Sequence, residues 1–137
     1  MTWLRRWHDL KADNNMVNGI FSGNVPLVKI AVAWGQSVQT PLVVLDTGFT
    51  GDLQVTPKIA KELGLQVTGV TKAQIANGQI VDVPVALAIA AMEGAINYIQ
   101  VMISESTPLI GISFLSKFGY KAMVDCKYKT VVLEKMI

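Results

Sequence analysis

The chain has 137 residues, enough for one domain with a real core and too few for two ordinary ones. Only 16% of the residues are charged against 51% hydrophobic, and the mean hydropathy is +0.41, so a monomer would leave apolar surface for a second subunit to cover. The net charge of +2 is scattered with no basic run beyond Arg5-Arg6, which argues against nucleic acid or an anionic membrane as partner.

Cys126 is the single cysteine, so no internal disulfide is possible, and a reducing compartment suits it. No apolar stretch reaches the roughly 18 residues that span a bilayer. "PVALAIAAM" is too short, and residues 19–34 are interrupted by Asn24, Pro26 and Lys29. After Arg5 and Arg6, the residues His8, Asp9, Lys11 and Asp13 stand where a signal peptide needs its apolar segment. The expected location is cytoplasmic.

Residues 1–15 differ in composition from the rest and read as an N-terminal extension, with 16–137 as the domain. Trp3, Trp7 and Leu10 fall at helical spacing, as in a short amphipathic helix packed on the domain or presented to a partner or membrane surface. From Val17 the pattern is β-rich, with "VPLVKIAVAW" and "TPLVVLD" as two strands separated by a turn at Gly35-Gln36-Ser37. A helix follows: Thr56 as N-cap, Pro57 in the first position, Ile59, Ala60 and Leu63 on the apolar face, Gly64 as the stop. "VTKAQIANGQIVDVPVALAIA" reads as a hairpin with a type I′ turn at Asn77-Gly78, and Val81, Val83, Val85, Leu87 and Ile89 alternate on one face of its return arm. A second turn at Glu93-Gly94 leads into "AINYIQVMIS". "LIGISFLSKFG" starts as a strand, turns at Gly111 and becomes a short helix ending at Gly119. "YKAMVDC" and "TVVLEKMI" close the chain as a hairpin around Lys127-Tyr128.

The feature that carries chemistry is "VVLDTGFTG", where an apolar strand delivers Asp46 into a turn of Thr and Gly. A carboxylate emerging from a buried strand must be hydrogen-bonded, paired or titrated upward, because desolvating it alone costs several kcal/mol. Thr47 offers a hydroxyl to the turn, and Gly48, lacking Cβ, lets backbone amides and a substrate approach the carboxylate. An aspartyl-phosphate enzyme would carry a second Asp two residues on or a Lys beside the first, and Gly48 and Thr47 occupy those places. A calcium loop needs an oxygen ligand where Gly48 stands. His8 is the single histidine, which disfavours metal ligation by His and Ser/His or Cys/His catalysis alike. There remains an aspartic peptidase, in which two carboxylates share one proton. The chain has one Asp-Thr-Gly and no second Asp-Thr/Ser-Gly, a shortfall that a two-fold homodimer repairs by bringing together Asp46 from each subunit.

From about Gly19 to Glu134 the chain resembles the single-lobe, retropepsin-like aspartic peptidases of the small prokaryotic kind with Asp-Thr-Gly-Phe. The likeness rests on "DTGFTG", the helix "PKIAKELGL", the hairpin "AQIANGQIVDVP", "PLIGISFLSKFG" and the closing "VDCKYKTVVLE", in family order. The resemblance implies a mainly β fold, a closed single-lobe β-barrel with one or two short helices. It implies a homodimeric endopeptidase acting on a peptide or protein without metal or cofactor. Asp46 would be the catalytic carboxylate, Thr47 would hydrogen-bond across the dimer, and Gly48 would line the cleft. Ala76, Asn77 and Gly78 would form the flap tip, and Leu109, Ile110 and Gly111 would support the active-site loop from beneath. "TVVLEKMI" would contribute to the dimer interface. Phe49 puts bulk beside the cleft where retroviral enzymes have a small residue, Ile112-Ser113 stand where a charge is more usual, and the flap is short. The alternative from another class is a dimerisation or peptide-binding module that keeps this fold without proteolysis.

Overall fold

A hairpin in this chain starts wherever two extended runs are joined by residues that tolerate a left-handed backbone. Glu93 (φ 49°) and Gly94 (φ 81°) are such a pair, and they join strands β9 (Ile80–Met92) and β10 (Ala95–Ile103) by the two-residue type I′ connection. These strands form part of a computed structural model that describes residues 15–75 and 77–136. The helix expected around Trp3, Trp7 and Leu10 lies outside the described residues, as does Ala76.

The turn at the tip of the preceding hairpin differs from expectation. Strand β8 (Val67–Gln74) pairs antiparallel with β9, but the last pair before the tip is Ile75 with Gln79, the Ile75 amide donating to the Gln79 carbonyl at 2.9 Å. Three residues therefore lie in the loop instead of two. Gly78, at φ 86°, takes the left-handed position and donates its amide to Ile75 O (2.9 Å), while the Asn77 side chain accepts from the Gln79 amide (2.9 Å). Asn and Gly are used here as in a three-residue connection, because the Asn side chain closes an Asx-type bond two residues on.

The apolar run from Val25 to Trp34 is two strands, not one. β3 (Val25–Lys29) pairs with β6 (Leu42–Leu45), and β4 (Ala31–Trp34) pairs with β9. The two halves serve different neighbours, so the chain bends at fully buried Ile30, whose amide donates to Pro41 O at 3.2 Å. The turn at Gly35 then forms as expected and leads to β5 (Ser37–Gln39), which pairs back onto β4.

The return arm β9 also departs from a single buried face. Val83 and Val85 are buried, but beyond them the inward set becomes Ala86, Ala88 and Ala90, while Leu87 is 42% exposed. The strand passes from partnership with β8 alone to a place between β10 and β4, and the side that is covered switches on the way. Pro84 falls just beyond the end of the β10 pairing, where a missing N–H costs the ladder least.

Both expected helices form. In α1 (Pro57–Leu63) the Thr56 hydroxyl accepts from the Ile59 amide (3.3 Å), and Gly64 ends the helix at φ 74°. In α2 (Ile112–Phe118) Gly111 is the N-cap, Gly119 the left-handed C-cap, and Phe114, Leu115 and Phe118 point into the core.

Among the described residues the fold is mainly β, with thirteen strands, and the larger sheet curls round the core. With β2 (Ile20–Ser22), β7 (Leu53–Val55) and β11 (Leu109–Ile110), it runs β2-β3-β6-β11-β7-β10-β9-β4-β5, and β8 pairs with β9. This hydrogen-bonded path ends at β2 and β5 without joining them. A smaller sheet holds β1 (Met16–Asn18), β13 (Thr130–Lys135) and β12 (Tyr120–Asp125) in that order. The β12–β13 loop is closed by the Asp125 carboxylate accepting the Lys127 and Tyr128 amides. Among the described residues β13 has strands of its own chain on both sides, so Thr130–Lys135 offers a second copy no free backbone edge, and the outer strands of that sheet are β1 and β12. The core between the sheets and helices is built on Val28, Ile30, Val43, Leu53, Met92, Ile99, Ile110, Phe114 and Leu133, all essentially without solvent contact.

Candidate active site

Strand β11 lies between β6 and β7, parallel to the first and antiparallel to the second, and the loop from Asp46 to Asp52 connects those two strands across it. The backbone makes this crossing rigid. Asp46 donates its amide to Ile110 O (3.0 Å), Gly111 to Asp52 O (3.1 Å), Ile112 to Phe49 O (2.9 Å) and Ser113 to Thr50 O (3.3 Å). Leu109, Ile110 and Gly111 thus lie beneath the loop, where the sequence reading placed them.

Asp46 is partly exposed at the end of β6. Its Oδ1 accepts the Gly48 amide at 2.9 Å, and its carbonyl accepts the Phe49 amide at 3.1 Å. A Cβ at Gly48 would stand 3.2 Å from that same Oδ1, so glycine here keeps the carboxylate uncrowded. Thr47 and Gly48 are both exposed, and among the described residues no hydrogen bond of the Thr47 hydroxyl is formed within the chain. Thr47 is thus exposed and Asp46 half-buried at the protein surface.

Phe49 finds its place in this geometry. A Cβ at Gly51 would lie 2.6 Å from the Phe49 ring, and one at Gly111 would lie 2.7 Å from the ring and 2.2 Å from Phe49 O. The ring packs into the space that two glycines leave open, which gives "DTGFTG" its second glycine and makes Phe49 part of the wall.

Beside the loop is a pocket of about 610 Å³, lined on one side by Gly48–Gly51 and on the other by Thr71–Gln74 of β8, with Gln54, Gln100 and Met102 between them. The expected flap enters through its outgoing arm. Asn77 and Gly78 at the tip do not line this pocket, and neither do Asp46 and Thr47.

A residue that no sequence motif singles out is Asp52, at the far end of the loop. It is the buried charged residue among those described, 5% exposed. Its Oδ2 accepts from Lys117 Nζ at 2.6 Å and from the Gln100 amide at 2.8 Å, and Lys117 Nζ also reaches Tyr98 O at 3.3 Å. Oδ1 is buried without a hydrogen-bond partner among the described residues. Lys117, on the last turn of the helix that Ile112 opens, thus carries the charge that meets the end of the loop. The available signal was an Asp opening the apolar run "LQV" and a Lys on the last turn of α2, 65 residues apart, which no local pattern connects.

The other described aspartates are committed elsewhere: Asp82 to Lys72 (2.5 Å) and Asp125 to its turn. Among the described residues no three of His, Cys, Asp and Glu are grouped as a metal would need, and no helix is long and apolar enough to cross a membrane. No family model matches the chain, and no curated protein matches it.

Proposed function

We propose that the chain is an aspartic endopeptidase of the single-lobe, retropepsin-like kind that acts as a cytoplasmic homodimer. The observation that carries this reading is the loop Asp46–Asp52, strapped by four backbone hydrogen bonds to β11, Gly111 and the start of α2 so that one carboxylate stands at a fixed, partly exposed position. One subunit supplies one such carboxylate, and the chemistry takes two.

In the two-fold dimer one Asp46 is ionised and its partner protonated. The ionised carboxylate takes a proton from water as the water oxygen bonds to the scissile carbonyl carbon, and the protonated one gives its proton to the carbonyl oxygen. Collapse of the tetrahedral adduct breaks the C–N bond: the carboxyl that took the proton from water gives it to the departing amine, and the other carboxylate takes a proton back from a hydroxyl of the adduct. The mechanism takes one proton shared between the two carboxylates. Free, exposed Cys126 is consistent with a reducing cytoplasm.

The test combines solution mass with turnover of a degenerate peptide library over a range of pH. A dimer that cleaves peptides, with cleavage abolished in Asp46→Asn, supports the reading; full activity in that variant, or a strict monomer, overturns it. Peptide binding without hydrolysis would instead make the chain a binding module.

A further inference from the structure

The walls of the pocket beside the loop carry a predominantly polar set of residues. Three of them are glutamines, each from a different strand: Gln54 on β7, Gln74 on β8 and Gln100 on β10. Gln54 stands beside Met102 in the β7–β10 register, and Gln100 is two residues from Met102 on the same strand, so all three project from one face of the sheet. Gln74 comes from the opposite wall.

These carboxamides are largely uncommitted. Gln54 Nε2 makes one long bond to Thr107 O (3.4 Å), and no side-chain hydrogen bond is formed by Gln74 or Gln100 among the described residues. Each carboxamide offers two donors and an acceptor oxygen. The charged residue of the lining, Lys72, is paired with Asp82 at 2.5 Å, so the pocket presents little unbalanced charge to attract a carboxylate. Phe49 and Met102 add an apolar strip that suits a short aliphatic stem.

We infer that this pocket is a specificity site for a polar, uncharged side chain of the substrate, best met by the carboxamide of glutamine or asparagine. The inference rests on the endopeptidase reading. A large apolar side chain would displace water from the glutamine amides and return no hydrogen bonds, whereas a carboxamide both donates and accepts. Each net hydrogen bond corresponds to about two- to tenfold in affinity.

The experiment uses the full chain and matched peptides carrying Gln, Met or Glu at each position in turn. Turnover by the natural protein gives kcat/KM, and fluorescence anisotropy with Asp46→Asn gives binding without cleavage. The expected result is a preference for Gln over both Met and Glu of about three- to tenfold at one position. That preference should disappear in Gln54→Met with Gln100→Met, a near-isosteric pair whose folding is checked by thermal melting. Cleavage with no Gln preference overturns this inference alone. Gln-selective binding to a protein that cleaves nothing overturns the endopeptidase reading alone. Absence of both overturns both.

Discussion

Lys117 Nζ lies 2.6 Å from Asp52 Oδ2, and this pair joins the last turn of α2 to the end of the Asp46–Asp52 loop across 65 residues of sequence. The carboxylate is 3% exposed and the lysine 38%, so the acid has given up its water while the ammonium has kept part of its own. Removing the lysine leaves a buried charge held by the Gln100 amide, and breaking buried pairs in this way costs about 3–5 kcal/mol. With the lysine partly solvated, Lys117→Met should cost about 2–3 kcal/mol in urea unfolding. Asp52→Asn combined with Lys117→Met should recover much of that loss, because no unpaired charge remains. A Lys117→Met variant as stable as the natural protein would show that the pair does not hold the loop.

Gly51 and Gly111 make room for Phe49 in different ways, and substitutions separate them. A methyl at Gly51 meets the Phe49 ring, whereas one at Gly111 meets the Phe49 and Gly51 carbonyls at 2.2 and 2.6 Å. Overpacking of this kind costs about 1–3 kcal/mol, and more where backbone must move. Gly51→Ala should therefore be relieved by Phe49→Ala in the same chain, and Gly111→Ala should not. Thermal melting of Gly51→Ala, Gly111→Ala, Phe49→Ala and the two double variants decides this.

Tyr120 gives the stability of the fold an alkaline limit. Burial, reinforced by the charge of Glu93, pushes its phenol well above the ordinary tyrosine value, and its hydroxyl is buried without a hydrogen-bond partner among the described residues. The fold thus favours the protonated phenol. The stabilisation is fully present below the unfolded value of about 10 and is lost as pH rises above it, because the unfolded chain releases the proton first. Tyr120→Phe should flatten this alkaline decline, and at neutral pH it should raise stability by about 1 kcal/mol by removing an unpaired hydroxyl. Urea midpoints at about pH 7 and about pH 11 test both parts.

Asp46→Asn should leave the loop standing. An amide oxygen can still accept the Gly48 N–H that Asp46 Oδ1 accepts at 2.9 Å, so the variant should fold within about 1 kcal/mol of the natural protein. If it is much less stable, loss of cleavage in that variant no longer identifies a catalytic role.

Much of this architecture is local and was readable as such. The capping pair Thr56 and Gly64, the stop at Gly119 and the turn at Glu93-Gly94 each follow from side-chain or backbone chemistry within a few residues. The loop "DTGFTG" and the short strand Leu109–Ile110 were also recognisable, since an apolar run ending in a charge and an apolar pair ending in glycine are both distinctive. The tip of the β8–β9 hairpin is one residue longer than the expected turn, because Asn-Gly serves two- and three-residue loops alike and the pairing of Ile75 with Gln79 decides between them.

What the amino-acid order determined by itself was the kind of element at each place and the isolation of Asp46 as a single Asp-Thr-Gly carboxylate. These depend on periodicity, caps and residue counts. Tertiary structure alone decided the bend at Ile30 and the switch of buried face along β9. It also decided the seating of Phe49 on Gly51 and Gly111, the meeting of Asp52 with Lys117, and the three glutamines around one pocket. Each of these depends on which distant strand or helix comes alongside, and such neighbours are selected by burial of the whole core, not by any local pattern.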